Sequence, residues 1–438
     1  MLRFAPSPTG DMHTGNLRAA IFNYILAKQR GEKFLVRIED TDMERNIEGK
    51  DKEILSLLNL FGMVWDELVY QSHNFPRHAQ MAEYLLSQGK AFYCYCSKEF
   101  LDQKREEALA QKLPFRYHDA WAEIEKDSTQ KPVIRLRGAS EEICFKDEIK
   151  GIVSFKPHEV DSFVIVREDG IPTYNFACAI DDMLYDVSFI VRGEDHVSNT
   201  PKQMLIQRGV GYEKLLQYAH LPILLNEEGK KMSKRDNASS VKWLLEEGYL
   251  PQAIANYLIL MGNKTPTEVF TLKEAIEWFD ITHVAKAPAK FDLDKLRFLN
   301  REHFKRLSEQ DLAFLLDHKD PSVGGLAKLY LQESSTLNEL RPKIDALFAP
   351  KIAQGEFASA MILLYPHLRA MIEEFSPALK DFEAFKKEAM ERSGLKGKPF
   401  FKSLRLLLTG SENGPELSDL FEYARFFFND IIRLKEPS

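Results

Sequence analysis

The chain has 438 residues, and at roughly 150 per domain that length predicts about three domains with more than one hydrophobic core. An apolar share of 44% and a charged share of 29% exclude a disordered tail, a collagen-like repeat and a disulfide scaffold. The net charge of −7 does not attract nucleic acid, so such a partner needs a local basic face. No uninterrupted apolar run approaches a membrane span, and Met1 to Pro6 lacks the basic-then-apolar pattern of a secretory signal. Four cysteines (Cys94, Cys96, Cys144, Cys178) read as reduced thiols, which points to the cytoplasm.

Leu2 to Ala5 predicts a short strand, broken by Pro6-Ser7-Pro8-Thr9-Gly10-Asp11. Leu17, Ala20, Ile21, Tyr24 and Ile25 recur at helical spacing until Gly31. Phe34 to Ile38 then predicts a second strand, so a right-handed βαβ unit opens a parallel sheet. From about 75 to 170 that rhythm breaks. Short runs at Val133–Leu136, Ile143–Phe145, Ile152–Phe155 and Phe163–Val166 predict an α+β insertion. The parallel pattern resumes with strands over Val187–Val191 and Leu221–Leu225 around a helix at Thr200–Arg208. Apolar stripes through Leu337, Leu340, Ile344 and Leu347, then Met361, Leu364, Leu368 and Met371, and finally Leu417 to Ile431 predict a helical C-terminal domain starting near residue 300.

Two loops carry the chemistry. His13-Thr14-Gly15-Asn16 lies between a strand and a helix start, where free N–H groups and the helix dipole favour an anion. A glycine there lets phosphates approach closely and the imidazole can donate to them; the bland alternative is that His13 only caps the helix. Gly229-Lys230-Lys231-Met232-Ser233-Lys234-Arg235 sets cations on a glycine-led loop, as phosphoryl chemistry requires. Its bland alternative is a solvated basic loop.

Taken in order, six segments resemble class I aminoacyl-tRNA synthetases, specifically the bacterial glutamyl type. They are Arg3 to Gly10 followed by His13-x-Gly15, Arg37 to Asp42, Pro172 to Ala177, Val191 to His196, Lys231 to Arg235, and the C-terminal pair Gly394 to Lys398 with Leu408-Thr409-Gly410. The resemblance implies an α/β fold: a Rossmann-type parallel sheet (residues 1–75 and 171–235), an inserted acceptor-stem-binding domain (76–170), a stem-contact region (236–300) and an all-helical anticodon-binding domain (301–438). It implies ATP-dependent, two-step attachment of L-glutamate to tRNA-Glu, to tRNA-Gln or to both, through glutamyl-adenylate, with Mg²⁺ accompanying ATP and activation waiting for bound tRNA. The expected enzyme is a monomer.

By the same resemblance, His13, Lys234 and Lys231 stabilise phosphate charge. Pro8, Thr9, Gly15, Asn16, Met232, Ser233 and Arg235 complete the ATP site. Arg3 and Arg192 take the substrate carboxylates, for which planar guanidinium forks are suited. Glu39 accepts the ammonium group, and Ser7, Tyr174 and Asp195 add polar contacts, with His196 beside them. Arg37 reads as a strand-end partner of Glu39, whereas a buried structural role for Arg3 is unusual because arginine rarely enters a core unpaired. Lys295, Arg297 and Arg301 are assigned to the tRNA backbone, against the alternative of a solvated helix face. The acid pairs Asp40/Asp42, Asp181/Asp182 and Glu194/Asp195 read as strand-end residues, not as a two-metal site.

Cys94-Tyr95-Cys96 resembles half of a zinc site that many members of the family carry. Tyr117 and His118 are available downstream, but Trp121 stands where a cysteine is frequent, so no metal beyond Mg²⁺ is expected. Four rivals are weighed. Arg192 opposes a glutaminyl-tRNA synthetase, where the resemblance places a neutral residue. The long helical C-terminus opposes both a truncated relative that glutamylates a tRNA base and a small-molecule adenylyltransferase. A non-catalytic tRNA-binding paralogue is opposed by the presence of His13 and Lys234.

Overall fold

In the computed structural model, residues 1–124, 131–232 and 236–435 are described. They form two compact units, one of residues 1–243 and 255–292, the other of residues 244–254 and 293–438.

The first unit begins as the local pattern dictates. Strand β1 (Leu2–Phe4) enters the proline-rich loop, and helix α1 (Thr14–Arg30) stops at Gly31, whose φ of 62° favours a residue without a side chain to clash. Strand β2 (Phe34–Ile38) pairs parallel with β1 in the register Arg3–Leu35. Helix α2 (Lys50–Leu60) leads to β3 (Glu67–Tyr70), parallel to β2. Every residue of β1 and β2 is buried, which is why their apolar runs are continuous and do not alternate.

After helix α3 (Phe75–Ser87) come β4 (Ala91–Cys94), α4 (Lys98–Ala110), β5 (Val133–Leu136), β6 (Ile143–Asp147), β7 (Gly151–Phe155) and β8 (Phe163–Val166). Strands β4, β5 and β8 make a separate antiparallel sheet. Strands β6 and β7, read from sequence as part of the insertion, do not join it. They form a hairpin on the edge of the main sheet, whose order runs β3-β2-β1-β9-β10-β6-β7. Their partner strand lies some seventy residues downstream, so no local pattern could reveal the pairing.

Helix α5 (Tyr174–Leu184), β9 (Phe189–Gly193), α6 (Thr200–Gly209) and β10 (Gln217–Leu221) complete the parallel part. Strand β9 starts two residues later than Val187. The run read as Leu221–Leu225 is two pieces, because Pro222 has no N–H to extend β10 and only Leu224–Leu225 pairs again. The sequence places Asp181 and Asp182 at a strand end. They sit instead inside α5 and are fully buried.

The second unit is helical. Leu340, Ile344 and Leu347, Met361, Leu364, Leu368 and Met371, and Leu417, Leu420, Phe421, Phe428 and Ile431 all enter one apolar core. Among them lies the buried Lys351, whose Nζ donates to the carbonyls of Leu347 (2.7 Å), Ala349 (2.7 Å) and Ile431 (3.1 Å). No described helix is long and apolar enough to cross a membrane.

Candidate active site

A cavity of about 330 Å³ lies in the first unit, lined in part by residues at the carboxyl ends of β1, β9 and β10, where open α/β sheets bind their ligands. It gathers ten of the residues selected from sequence: Arg3, His13, Gly15, Asn16, Glu39, Tyr174, Arg192, Asp195, Lys231 and Met232. Their separation in sequence spans both halves of the sheet, so the fold is what brings them together.

At the start of α1, His13 does cap the helix: its Nδ1 accepts the Asn16 N–H at 3.2 Å. The capping and phosphate-binding readings are therefore compatible. With Nδ1 accepting, a neutral ring carries its proton on Nε2, a donor suited to an anion. No acidic residue occupies the first turn of α1 to oppose one. Gly15 has a reason that sequence did not disclose. A Cβ there would stand 3.1 Å from both Cε1 and Nδ1 of His13, so the glycine makes room for the imidazole itself.

One wall is a dense buried ion network. Arg3 donates to both carboxylate oxygens of Asp182 (3.1 and 3.2 Å), and Arg37 donates to Asp182 (2.6 Å) and to Glu39 (3.1 Å). Cys178 and Asp182 face these arginines because they stand one turn apart on α5. Asp181 serves the other side, bonded to His78 Nε2 at 2.7 Å and to Gln71 at 2.8 Å. Arg3 is thus buried and paired. Arg37 pairs with Glu39 at the end of β2, as expected, and being wholly buried it also braces the site through Asp182. Burial works against the Asp182 charge, yet Arg3 and Arg37 bring its carboxyl down to about 2. Burial dominates for Glu39, which is pushed above the ordinary carboxyl range despite Arg37 and Arg3; an arriving ammonium group favours its charged form. Burial likewise lifts the Cys178 thiol to about 12, so it is no nucleophile.

The opposite setting surrounds Arg192. Its Nε donates to His220 Nε2 (3.2 Å), Nη1 to Gln203 Oε1 (2.8 Å) and Nη2 to Thr200 Oγ1 (2.8 Å). None of these is a carboxylate. Near it, Tyr174 OH and His196 Nδ1 are 3.3 Å apart, and burial followed by the Arg192 charge lowers His196 to about 4, leaving it neutral. Thr200, Gln203, His220 and Asp147 were not selected from sequence. A lone polar residue on a helix or strand gives no local signal of function.

Gly229, with φ of 78°, makes the tight turn that returns Lys231 to bridge Leu225, and this places Lys231 and Met232 on the cavity. Ser233, Lys234 and Arg235 lie outside the described residues. Ser7, Pro8 and Thr9 are not among the residues lining the cavity. The carbonyls of Pro6 and Pro8 accept from Glu39 and Ile47, tying that loop along the segment after β2. In the helical unit, Arg297 is bonded to Glu339 (2.7 Å) and Arg301 to Ser335 (2.6 Å), while Lys295 lies over the Phe298 ring.

The insertion's thiols have found other partners. Cys94 Sγ is 3.1 Å from Tyr117 OH, and Cys96 donates to the Trp121 carbonyl at 2.9 Å. Trp121 supplies no fourth ligand, and among the described residues no three His, Cys, Asp or Glu side chains converge as a metal site needs. These residues do not fit a structural zinc.

Comparison with known proteins places the chain in a family. The family described as "tRNA synthetases class I (E and Q), catalytic domain" matches residues 1–298, and "Anticodon binding domain" matches residues 295–424. Glutamate–tRNA ligase 2 of Helicobacter hepaticus is 66% identical over 441 residues, covering 100% of both chains. A Helicobacter pylori protein named glutamyl/glutaminyl-tRNA synthetase is 56% identical over 441 residues, 99% of this chain and 100% of that one. Among solved structures, a glutamate–tRNA ligase from Elizabethkingia meningosepticum in complex with its amino acid superposes with a TM-score of 0.81 at 27% identity, over 98% of each chain.

Proposed function

The chain belongs to the class I glutamate–tRNA ligases, and we propose that its cavity divides the two-step reaction as follows. The α-carboxylate of glutamate attacks the α-phosphate of ATP; an O–P bond forms, pyrophosphate leaves, and glutamyl-adenylate remains. A hydroxyl of the tRNA terminal adenosine then attacks the carbonyl carbon, and AMP departs. Glu39 takes the ammonium group, Arg3 and Arg192 the carboxylates, with Tyr174 and Asp195 as further polar contacts. His13 Nε2, the α1 N-terminus, Lys231 and Lys234 hold the phosphates, where positioning and charge supply most of the catalysis. Mg²⁺, expected with ATP, would neutralise triphosphate charge beside Lys231 and Lys234. Lys295 and the outward edges of Arg297 and Arg301 contribute cations to the tRNA backbone.

The observation that carries the reading is Arg192. It is a buried cation whose partners are all neutral, in a cavity that also holds a buried acid. A carboxylate ligand supplies the missing charge; an amide does not.

The H. pylori relative's name favours a second reading of the tRNA, in which glutamate is placed on tRNA-Gln for later amidation. The test is charging of purified tRNA-Glu and tRNA-Gln with labelled glutamate and glutamine. Glutamate on tRNA-Glu alone gives the standard enzyme, on both tRNAs a non-discriminating one, and on tRNA-Gln alone a specialised one. Glutamine charging, or none, refutes the assignment. Pyrophosphate exchange with and without tRNA checks whether activation waits for tRNA.

A further inference from the structure

Arginine has five N–H groups, and at Arg192 three of them are committed. With Nε spent on His220, one N–H is left on each terminal nitrogen, the fork that a carboxylate accepts as a pair. That arrangement depends on His220 Nε2 being an acceptor, hence on the proton residing at Nδ1. Asp147 fixes it there. Its Oδ2 takes the Nδ1 proton at 2.6 Å and the His220 backbone N–H at 3.0 Å, while Oδ1 takes the backbone N–H groups of Ile149 (2.9 Å) and Lys150 (2.7 Å). Both side chains are wholly buried, Asp147 at 1% and His220 at 0% exposure.

From this chain of contacts we infer that Asp147 and His220 are positioning residues for Arg192, holding its guanidinium so that the free edge is presented to the substrate carboxylate. The inference rests on the assignment of Arg192 to that carboxylate. It adds two residues that contact neither glutamate nor ATP, one of them from the β6–β7 hairpin. Protonation of His220 would turn Nε2 from acceptor to donor and set two cations face to face. The charged groups around the ring are Asp147 and Lys150 from the hairpin and Arg192 from β9; Lys150 is itself paired with Glu194, and His196 stands beyond Arg192. Tyr218 and Phe145 cover the ring faces, and Thr200 Oγ1 lies 3.2 Å from Nε2. Burial first, then Arg192, hold the imidazole below its ordinary value against the pull of Asp147, which keeps it neutral near pH 7.

The experiment is steady-state charging by the full-length enzyme across pH 5.5 to 8.5, with glutamate, ATP and tRNA varied separately. Asp147→Asn turns an amide N–H toward Nδ1 and moves the ring proton to Nε2, the effect of a mispaired tautomer. His220→Ala removes the acceptor. Both are expected to raise the glutamate KM about 10- to 100-fold, the scale of a misplaced binding group, with KM for ATP and tRNA within about 2-fold. His220→Gln keeps an acceptor for Arg192 and a donor for Asp147, so it is expected to restore most of the glutamate affinity. The unsubstituted enzyme is expected to show an acidic rise in glutamate KM, and His220→Gln should lose the share of it that comes from His220, leaving only the share that comes from Glu39. Unchanged glutamate KM in folded His220→Ala or Asp147→Asn, or the same acidic rise in His220→Gln, overturns the inference, and the last holds even where His220→Ala does not fold. Arg192→Ala separates the two claims: if it abolishes glutamate use while the Asp147 and His220 variants behave normally, the Arg192 assignment stands and the positioning role falls. If Arg192→Ala itself leaves glutamate KM unchanged, the assignment falls first.

Discussion

The two arginines of the cavity occupy opposite electrostatic settings. Arg3 shares Asp182 with Arg37 and adjoins Glu39, so its charge is balanced before any ligand arrives. Arg192 lies among a histidine, a glutamine and a threonine and stays unbalanced. The first setting anchors Arg3, because a buried cation with a bidentate carboxylate is held in place. On the proposed assignment the second is organised for binding, its electrostatic complement coming from the substrate carboxylate. A carboxylate adjacent to Arg192 would stabilise the empty enzyme and compete with the substrate.

Substitutions should separate these roles. The largest effect on stability is expected for Asp182→Ala, which leaves two buried guanidinium groups without their main partner. Its cost should be about 3–5 kcal/mol, or a fall of about 10 °C in Tm by calorimetry. Because folding lowers the Asp182 pKa to about 2, its contribution is full above about pH 4, the ordinary carboxyl value, and is lost as pH falls toward 2. The Asp182→Ala protein should therefore lack part of the parent's acid-induced loss of stability. Arg192→Met should do the reverse: glutamate kcat/KM falls about 10²- to 10³-fold, the scale of a lost preorganised donor, while Tm moves by no more than about 3 °C. Equal losses of Tm in the two variants would erase the distinction. Gly15→Ala presses on the His13 ring and should raise the ATP KM about 10-fold with glutamate KM unchanged, a misplacement effect measured in the same charging assay. Lys230→Ala removes an exposed ion pair with Glu228 and should alter stability by less than about 0.5 kcal/mol and activity by less than about 2-fold. A large loss there would mean that the loop acts through more than Lys231.

What could be read from sequence was whatever is written locally. The strand–loop–helix start, Gly31 as its stop and the two glycine-marked loops depend on residues a few positions apart. So do the apolar stripes of the helical unit. The hairpin carrying Asp147 was misplaced because its partner strand is seventy-three residues from it at the Asp147–His220 contact. Asp182 looked like one of several acidic pairs until α5 turned it toward two arginines. A weak cue existed there, since Thr173 followed by Phe176, Ala177, Ile180 and Met183 has helical spacing. His220 offered none; its meaning comes only from what stands at each ring nitrogen.

The nesting of the hairpin has a practical side for anyone trimming or transplanting this scaffold. Strands β5 and β8 belong to the inserted sheet, and β6 and β7 are threaded between them in the chain. A shortened enzyme made by excising residues 76–170 as one cassette would discard Asp147 with the module it removes. A graft that exchanges the insertion must therefore be cut in two pieces, on either side of residues 143–155. The inserted sheet and the main sheet are consequently not separable by a single cut.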